Sequence, residues 1–423
     1  MEKHFDIIII GAGPAGLIAA ARASQLGNRI LVLEKMAQAA RKLRITGKGR
    51  CNITNTAPLS EFVKCIHPEG KKLRPAFSRF FSKNLIDFFA EINIPTKEER
   101  GSRIFPLSDD ANVVADALIS YCKTQKVEFL LNAEVQDISI SDEPAKNLRI
   151  TINNPKQQFS AHSIIIATGG LSYPATGCTG DGYKFAKQTN HLIIPTRPAL
   201  VPLRVNHPKV SELMGLSLKN VTASLWVEGK KMQSEFGEML FTHFGLSGPI
   251  ILTLSRLAVD SLNEKKKVQI QIDLKPALDD QKLDQRLLRE IDEHGKMKIS
   301  SYLKLLLPGL LAPFCAQELG FDSEKQANTI SALERKKLRV WLKNLVFNVV
   351  GHTGFKEAII TAGGVSISDI NLETFESKKV ENVYFAGEVL DFDADTGGYN
   401  LQIAFTTGWL AGEAAAKQVS GSR

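Results

Sequence analysis

Three glycines and a carboxylate near the start of the chain have the spacing that suits a ligand carrying phosphates. Gly11, Gly13 and Gly16 form a GxGxxG pattern directly after the apolar stretch Phe5–Ile10. In this pattern the first glycine allows a tight turn, the second lets the backbone approach a pyrophosphate, and the third lets a helix pack closely on a strand. Glu34 ends a second apolar stretch about 20 residues later, where the hydroxyls of a ribose would lie. The spacing predicts a dinucleotide site.

Residues near the other end of the chain could hold a flat redox-active ring. Gly387-Glu388 follows an apolar stretch, and Gly397-Gly398 precedes a predicted helix that begins near Asn400. A carboxylate at a strand end can bind ribityl hydroxyls, and glycines let the backbone approach a ring. A helix N-terminus would stabilise the negative charge of a reduced flavin. Because only one GxGxxG pattern opens a strand–helix unit, these residues favour FAD over a nicotinamide as the resident cofactor.

Hydrophobic periodicity predicts the elements that position these residues. The expected strands cover residues 5–10, 29–33, 127–131, 134–140 and 163–168. The expected helices cover residues 72–92, 111–123 and about 400–417.

The pattern changes after about residue 193. Residues 194–276 carry short alternating runs typical of β-structure, and residues 277–351 are charged and helical in period. Strands punctuated by glycine then return. The simplest fold is α/β: a Rossmann-like dinucleotide domain, discontinuous in sequence (1–193 and 352–423), with 194–351 as an inserted domain with β-rich and helical parts. An arrangement as two consecutive, independent domains is less consistent with the sequence, since the final strand–glycine–helix segment needs a parallel sheet to join.

Composition places the chain among folded, water-soluble proteins. Its 423 residues are 43% hydrophobic and 23% charged, and no apolar run is long enough to span a membrane. Five scattered cysteines form no CxxC pair, which argues against a disulfide framework or a metal site and fits a reducing cytoplasm. The net charge of +8 permits a nucleic-acid partner, but basic residues are not interleaved with aromatics along the chain, so nucleic acid is not expected. The oligomeric state stays open.

Several segments resemble the HI0933-like flavoproteins. The most specific is RKLRITGKGRCNITN at 41–55. The others, in chain order, cover residues 164–182, 238–249, 361–365 and 385–402. Ala40, where a glycine is usual, and Cys178, where a small hydroxyl residue is usual, depart from the family pattern. The resemblance implies non-covalent FAD, a discontinuous FAD-binding domain and an inserted domain that covers the flavin.

The resemblance also implies which residues contact FAD. Those expected at the pyrophosphate, ribose and adenosine are Gly11, Gly13, Pro14, Ala15, Glu34, Lys35, Lys42, Val135, Ala167, Thr168 and Gly169. Those expected at the flavin and its ribityl chain are Thr46, Gly49, Arg50, Cys51, Asn52, Gly387, Glu388, Gly398, Asn400 and Leu401. Without the resemblance, Arg44 and Lys48 are as consistent with a solvated loop as with a cofactor site. Arg50 lies among glycines and is less consistent with a solvated loop.

The sequence does not single out a catalytic acid or base. His243 is the best histidine for a substrate-side role, although a hydrogen-bonded structural histidine is commoner. Tyr173 and Tyr399 could donate a proton or cap the ring, with packing as the default role. Cys51 has no nearby cysteine partner, which favours a packed thiol over a redox-active one.

These patterns together predict a cytoplasmic FAD-dependent oxidoreductase. The expected chemistry is hydride transfer at flavin N5, with a small organic substrate between the flavin and the inserted domain. NADH or NADPH would be a transient electron donor, without a dedicated site in the sequence. The alternatives are a flavin oxidase of small amines that uses oxygen, an RNA-modifying flavoprotein, and a flavin-binding scaffold that recruits a protein partner.

Overall fold

The computed structural model describes residues 3–140, 148–153 and 156–422. The strands are β1 (Lys3–Ile10), β2 (Ile30–Leu33), β3 (Thr54–Asn55), β4 (Ile66–His67), β5 (Thr96–Glu99), β6 (Arg103–Pro106), β7 (Glu128–Leu130), β8 (Val135–Ile140), β9 (Leu148–Asn153), β10 (Lys156–Ile166), β11 (Ile193–Ala199), β12 (Leu203–Val205), β13 (Ser217–Val227), β14 (Lys230–Thr242), β15 (Gly245–Ser247), β16 (Val268–Asp273), β17 (Leu345–His352), β18 (Ile360–Val365), β19 (Val383–Phe385) and β20 (Asp393–Ala394). The helices are α1 (Pro14–Gln25), α2 (Arg41–Ile45), α3 (Leu59–Phe62), α4 (Arg74–Arg79), α5 (Ser82–Glu91), α6 (Ala111–Thr124), α7 (Asp181–Gln188), α8 (Pro249–Asn263), α9 (Asp280–His294), α10 (Ile299–Leu306), α11 (Leu311–Leu319), α12 (Ala332–Lys343) and α13 (Tyr399–Ser422).

The chain divides into two compact units. The first unit consists of Met1–Pro198 and Ala358–Arg423, and the second consists of Ala199–Glu357. The chain passes from the first unit to the second after Pro198 and returns at Ala358. Both points lie a few residues after the boundaries that the sequence predicts, at 193 and 351. The first unit is therefore discontinuous in sequence, and the second is a single stretch of chain.

The first unit is built on a mostly parallel sheet. Its strand order is β7-β2-β1-β10-β9-β8, and β19 also pairs with β10. β10 is long: its first residues pair antiparallel with β9, and Ile164–Ile166 pair parallel with β19. Residues Ile7–Ile10 of β1 are buried, which explains why this strand is continuously apolar rather than alternating. The parallel register brings the carboxyl ends of β7, β2, β1, β10 and β19 to one edge.

Helices α1 and α13 pack together at a very short backbone separation. A Cβ atom on Gly408 would lie 2.2 Å from the carbonyl oxygen of Ala15, and one on Gly412 would lie 2.4 Å from that of Ala19. Small residues on both helices therefore allow this approach. The contact joins the two sequence segments that make up the first unit.

The second unit contains a closed six-stranded antiparallel barrel, in the order β12-β15-β14-β13-β16-β17. Alternate residues of its strands fill the interior, among them Leu225, Ile270 and Phe347, all buried. Helices α9 to α12 contribute to the same apolar core through residues such as Leu287 and Leu338. The β-rich and helical parts therefore share one core.

Two elements of the second unit differ from the sequence expectation. Residues 249–263 form α8 within the stretch predicted to be β-rich, because Ile251, Leu254 and Ala258 are buried at helical spacing. Residues 345–352 form β17 within the stretch predicted to be helical. Its burial alternates residue by residue, which is the period of a strand.

The aromatic stretch predicted as one helix over 72–92 is interrupted. α4 ends at Arg79 and α5 begins at Ser82, and Phe80 and Phe81 between them have extended backbones. The ring of Phe80 stacks on Trp409 of α13, with ring centroids 4.3 Å apart. Packing against a helix distant in sequence thus overrides the local helical period.

The last helix, α13, begins one residue before the predicted start and extends past the predicted end. Like the other helices within 3–140, 148–153 and 156–422, it lacks the combination of length and apolarity needed to cross a membrane.

We expect Gly412→Val to destabilise the first unit. The added carbons would meet the backbone of Ala19 at 2.4 Å, so α13 must move away from α1 at a cost of about 1–3 kcal/mol. Urea unfolding followed by circular dichroism measures this cost as a lower midpoint. Gly309→Val is the control, because Gly309 is exposed and has no neighbour within 4 Å of an added Cβ. An equal midpoint for both variants would contradict the close packing.

Candidate dinucleotide and flavin site

The parallel sheet brings predicted cofactor residues to neighbouring strand ends. Backbone hydrogen bonds of 2.8–3.0 Å extend the ladder there: Glu34 N to Leu130 O, Gly11 N to Leu33 O, Ala167 N to Ile10 O, and Ala386 N to Ile166 O. Gly387 follows directly on the last of these. In open α/β sheets, ligands bind in the crevice outside the carboxyl ends of the strands. The two sequence motifs, nearly 380 residues apart in the chain, therefore meet at one edge.

The glycines of the GxGxxG pattern have the geometry that the pattern predicts. Gly11 has a φ of 103°, and a Cβ there would lie 2.5 Å from the carbonyl oxygen of Ala167. A Cβ on Gly16 would lie 1.9 Å from the carbonyl oxygen of Gly11, so glycine lets α1 begin this close to β1. A Cβ on Gly13 would meet nothing within 4 Å, which leaves its backbone open to a ligand. α1 then begins at Pro14, whose missing N–H is no loss at a first helical position.

Glu34 is oriented by the backbone around it. Its Oε2 accepts a hydrogen bond from Ala12 N at 3.0 Å, and its Oε1 accepts one from Met36 N at 2.8 Å. Burial raises the pKa of this carboxyl, while the two backbone donors and the nearby Lys35 and Arg41 oppose the shift. Each carboxylate oxygen has a second lone pair, so the group can still accept a ribose hydroxyl.

The adenosine end is bounded by the segment before β8. Ala133 N donates to Glu34 O at 2.9 Å, and this brings Val135, buried at the start of β8, to the side of Glu34. Lys35 does not extend into open space, because its Nζ donates to Asp181 at 2.6 Å. Thr168 lies beside Gly182 of α7.

A polar network surrounds Glu388 at the end of β19. Its Oε2 accepts from Lys42 Nζ at 2.5 Å, and its Oε1 accepts from Ser172 Oγ at 2.6 Å and from Thr361 N at 2.9 Å. Lys42 also donates to Ser172 Oγ at 2.6 Å. The structure thus places Lys42 with the expected ribityl carboxylate, whereas the family resemblance placed it beside the adenosine.

Ser172 and Thr361 are site residues that the sequence reasoning did not name. Both are fully buried polar side chains, and Thr361 Oγ1 accepts hydrogen bonds from the backbone N–H groups of Leu171 and Ser172. Each belongs to a segment already noted for its family resemblance, 164–182 and 361–365. The hydroxyl residues within these segments were the signal by which the sequence could have identified Ser172 and Thr361.

The loop 40–52 wraps around the same edge. Ala40 adopts a left-handed backbone (φ 61°) and its N–H donates to Ala12 O at 2.9 Å, so the position tolerates the alanine that replaces the usual glycine. Thr46 Oγ1 donates to Leu43 O at 2.6 Å. Gly49 has a φ of 84°, which favours glycine. These contacts fix the path of the loop next to the glycine turn.

Arg50 is paired with acidic residues of neighbouring segments, and its expected contact with the flavin stays a prediction. Its guanidinium donates to Asp109 at 2.6 Å and to Glu99, and it lies 4.3 Å from the centre of the Phe105 ring. Hydrogen bonds from Lys97 and then Arg50 lower the pKa of Asp109, and the hydrogen bond from Arg50 lowers the pKa of Glu99. With two carboxylates on it, this cation has little charge to offer a phosphate.

Cys51 is a buried thiol in a left-handed backbone position (φ 61°). Burial raises its pKa to about 12, against a smaller opposing effect of the hydrogen bond with Thr46. The thiolate is the reactive form of cysteine, so Cys51 is protonated and inert at neutral pH. This supports a packing role.

Asn52 and Gly398 meet where the flavin ring was expected. The Oδ1 atom of Asn52 is buried and has no hydrogen-bond partner among the described residues. It lies 2.9 Å from the position of a Cβ on Gly398, whose φ is 99°. The pyrimidine edge of a flavin carries an N–H donor, which is the partner that this acceptor lacks. The buried acceptor, the open backbone at Gly13 and the oriented Glu34 show that the residues present fit FAD.

The start of α13 is held by its own loop. Asn400 Oδ1 accepts from Ala394 N at 2.9 Å, and its Nδ2 donates to Ala394 O at 2.7 Å. Asn400 therefore closes the 394–400 turn, and the first backbone N–H groups of the helix, which lack intrahelical partners, are the groups left for a ligand. Leu401 packs partly buried against the core of this unit. A Cβ on Gly398 would lie 2.4 Å from Thr54 O, so a larger residue there would distort the protein as well as exclude a ring.

The three catalytic candidates lie in different surroundings. Tyr173 directly follows Ser172 of the Glu388 network and has a left-handed backbone (φ 52°). Tyr399 follows Gly398, and its ring packs edge-on against Phe62 at 4.7 Å between centroids. Burial is the main cause that raises the Tyr399 pKa, so its hydroxyl keeps its proton. His243 belongs to the second unit, where it is exposed in the turn between β14 and β15 and contacts Phe244.

Comparison with known proteins places this site in a family. The sequence matches the HI0933-like protein Rossmann domain over residues 5–414. It is 30% identical over 414 residues to the 3-dehydro-bile acid delta(4,6)-reductase of Clostridium scindens, covering 97% of this chain and 98% of that protein. It is 31% identical over 411 residues to the ribosomal RNA dihydrouridine synthase of Escherichia coli, covering 97% and 98%.

A solved structure shares the fold. The 3-ketosteroid-delta4-(5alpha)-dehydrogenase of Rhodococcus jostii RHA1 aligns with a TM-score of 0.54 and 14% identity, over 98% of this chain and 97% of that one. The match to the family model and the two relatives show that the chain belongs to the HI0933-like family. It is an FAD-dependent oxidoreductase with a Rossmann-type fold.

We expect Glu34→Gln to weaken FAD binding about 5- to 150-fold, because it removes a charge-assisted acceptor worth about 1–3 kcal/mol. Binding to the unmodified protein should also weaken as the pH falls through the raised pKa of Glu34, since protonation removes the same charge. Quenching of flavin fluorescence measures both effects. Glu128→Gln, an exposed carboxylate paired with Arg29, is the control and should bind normally. If Glu34→Gln bound FAD with the affinity and the pH dependence of the unmodified protein, the assignment of Glu34 to the ribose would be wrong.

We expect one thiol to react in the folded protein. Of the five cysteines, Cys65 is half-buried and the other four are buried. Titration with a chromogenic disulfide reagent should show one fast thiol in the native protein and five after unfolding. Cys65→Ala should abolish the fast phase. If the fast phase were instead lost in Cys51→Ala, Cys51 would be the accessible thiol.

Proposed function

We propose that this protein uses FAD to reduce a carbon–carbon double bond conjugated to a carbonyl group in an organic substrate. The observation that carries the proposal is the chemistry shared by the names of two relatives. A delta(4,6)-reductase of a 3-dehydro-bile acid and a dihydrouridine synthase both imply the addition of two hydrogens to an unsaturated carbonyl system. Both relatives match almost the whole chain.

The residues at the sheet edge support this cofactor. We assign the open backbone at Gly13 to the pyrophosphate, Glu34 to the ribose, and the Glu388–Lys42 pair to the ribityl chain. Asn52 and the first turn of α13 are assigned to the pyrimidine edge of the ring. FAD bound there and reduced by an electron donor would supply a hydride from N5 to a substrate carbon.

Reduction of such a double bond takes a proton in addition to a hydride. Tyr173 and Tyr399 are the candidate donors in the first unit, because each adjoins a residue assigned to the flavin or its ribityl chain. A tyrosine with a raised pKa is a neutral donor at physiological pH, which describes Tyr399. His243 is a third candidate. Tyr173→Phe and Tyr399→Phe should distinguish the two tyrosines, since loss of the donor lowers turnover about 10²- to 10⁴-fold and leaves FAD binding intact.

NADH or NADPH is the proposed electron donor, acting transiently. Anaerobic stopped-flow mixing of the FAD-loaded protein with each nicotinamide should bleach the flavin absorbance. Subsequent mixing with a 3-keto-Δ4 steroid should restore the absorbance. Return of colour with the steroid at a rate at least tenfold above that with air-saturated buffer supports a reductase.

The same experiment can contradict the proposal. Rapid return of colour with oxygen, together with bleaching by small amines, would indicate the oxidase alternative. Absence of bleaching by every donor, despite normal FAD binding, would favour a flavin-binding scaffold.

The uracil ring of RNA is a second candidate substrate. The specific observation that favours it is the similarity to the E. coli dihydrouridine synthase and to a protein of the same name from Haemophilus influenzae, 30% identical over 420 residues. Uridine-containing RNA should then restore the flavin colour in place of the steroid, and mass spectrometry should detect a gain of two hydrogens.

A further inference from the structure

One outward surface of the barrel in the second unit combines aromatic, amide and basic side chains. Along β13, Val221, Ala223, Leu225 and Val227 are buried in the barrel core. The intervening residues therefore point outward. Trp226 is among them; it is half-buried, and its indole Nε1 is buried without a hydrogen-bond partner among the described residues. Strand pairing carries this outward face across to β14, β16 and β17.

The register aligns four outward side chains in one row. Trp226 pairs with Lys231 of β14 on one side and with Gln269 of β16 on the other, and Gln269 pairs with Asn348 of β17. The amide of Gln269 donates to Asn348 Oδ1 at 2.9 Å. We call this row, together with Phe236, the barrel face.

Phe236 supplies a second aromatic ring on the same side of the sheet. It pairs with Thr222, four residues from Trp226 along β13, and is 59% exposed. At about 3.3 Å per residue, the two aromatic positions are roughly 13 Å apart. Ser224 and Ser234 lie between them, with their hydroxyls 2.9 Å apart.

Lysines gather at the end of the barrel next to this row. The turn that joins β13 to β14 leads into Lys230 and Lys231, and the turn before β16 carries Lys265, Lys266 and Lys267, all exposed. The two turns are held side by side, because Glu228 N donates to Lys267 O at 3.0 Å and Lys267 N donates to Glu228 Oε1 at 2.6 Å. Glu228 and Glu264 are the acidic residues of these turns, so five lysines outnumber two carboxylates.

We infer that the barrel face binds single-stranded RNA. The exposed ring of Phe236 and the accessible part of the half-buried Trp226 ring can stack with unpaired bases, and the neighbouring amides can hydrogen-bond base edges. Lysines at the rim then neutralise phosphates. Paired bases cannot stack on such rings, so duplex RNA should bind more weakly. The residues of this surface belong to the second unit and none of them is assigned to the cofactor, so the inference holds whichever double bond the enzyme reduces.

Fluorescence anisotropy with a short labelled single-stranded RNA tests this inference on the full-length, FAD-loaded protein. The triple variant Lys231→Gln, Lys265→Gln and Lys267→Gln should bind at least tenfold more weakly. Its slope of log affinity against log salt should fall by about 2, at about 0.7 per lost phosphate contact. Phe236→Ala should weaken binding about 5- to 150-fold, as expected for one lost base stack, and should leave the salt slope unchanged.

A matched triple variant in the first unit controls for loss of net charge. Lys64→Gln, Lys72→Gln and Lys83→Gln removes the same charge from exposed lysines and should bind RNA normally. Equal weakening in both triple variants would overturn the inference, as would preferential binding of anionic lipid vesicles or absence of RNA binding at low salt. Flavin content and steroid reduction by the same preparations report on the redox site independently, so its failure is distinguishable from failure of RNA binding.

Discussion

The parallel pairing of β1 with β2 and β10 is the constraint on which the rest of the first unit depends. Parallel strands share the direction of their carboxyl ends, so the turn after β1 and the carboxylate after β2 must be neighbours. β19 joins the same edge from the far end of the chain. The antiparallel additions, β9 and β8, extend the sheet without altering that edge. A cofactor crevice follows from the sheet itself and needs only side chains of suitable chemistry.

The charges at this edge are largely compensated within the protein. Lys42 pairs with Glu388, Lys35 with Asp181, and Arg50 with Glu99 and Asp109. In the proposed site, the anionic part of a dinucleotide would therefore depend on backbone N–H groups and the start of α1 more than on side-chain cations. Glu34, which is raised in pKa by burial and held by two backbone donors, is a fixed acceptor rather than a mobile surface charge.

Local sequence patterns predicted this edge well because its geometry is dictated by short-range sterics. The demand on Gly16 arises from the carbonyl of Gly11 in the same turn, and the demand on Gly11 includes its own positive φ, so both are visible in the residue types alone. The positions of Lys42 and Arg50 could not be predicted, because their partners come from remote segments, 346 residues away for Glu388 and 59 for Asp109. The same cause ended α4 at Arg79, where Phe80 finds Trp409.

The barrel shows a different limit of linear reasoning. Lys231 and Trp226 are separated by a turn in the sequence, and Gln269 lies more than forty residues on, yet pairing sets them side by side. Basic and aromatic residues are not interleaved along the chain, yet strand pairing brings them together on one surface. The linear sequence could not show this. Residues 345–352 were predicted to be helical for a related reason. They follow a helical region, and the one-sided burial that identifies them as a strand arises only when the barrel closes.

The contact between α1 and α13 has a consequence for how the protein is made. α1 leaves the ribosome long before Gly408 and Gly412, the glycines of α13 that pack on it. The apolar side of α1 must remain uncovered, or be covered by something else, until α13 has been made. Until then, the nascent chain carries the glycine turn after β1 without the helix that completes its support. Chains truncated before α13 should consequently be the species that chaperones and proteases recognise.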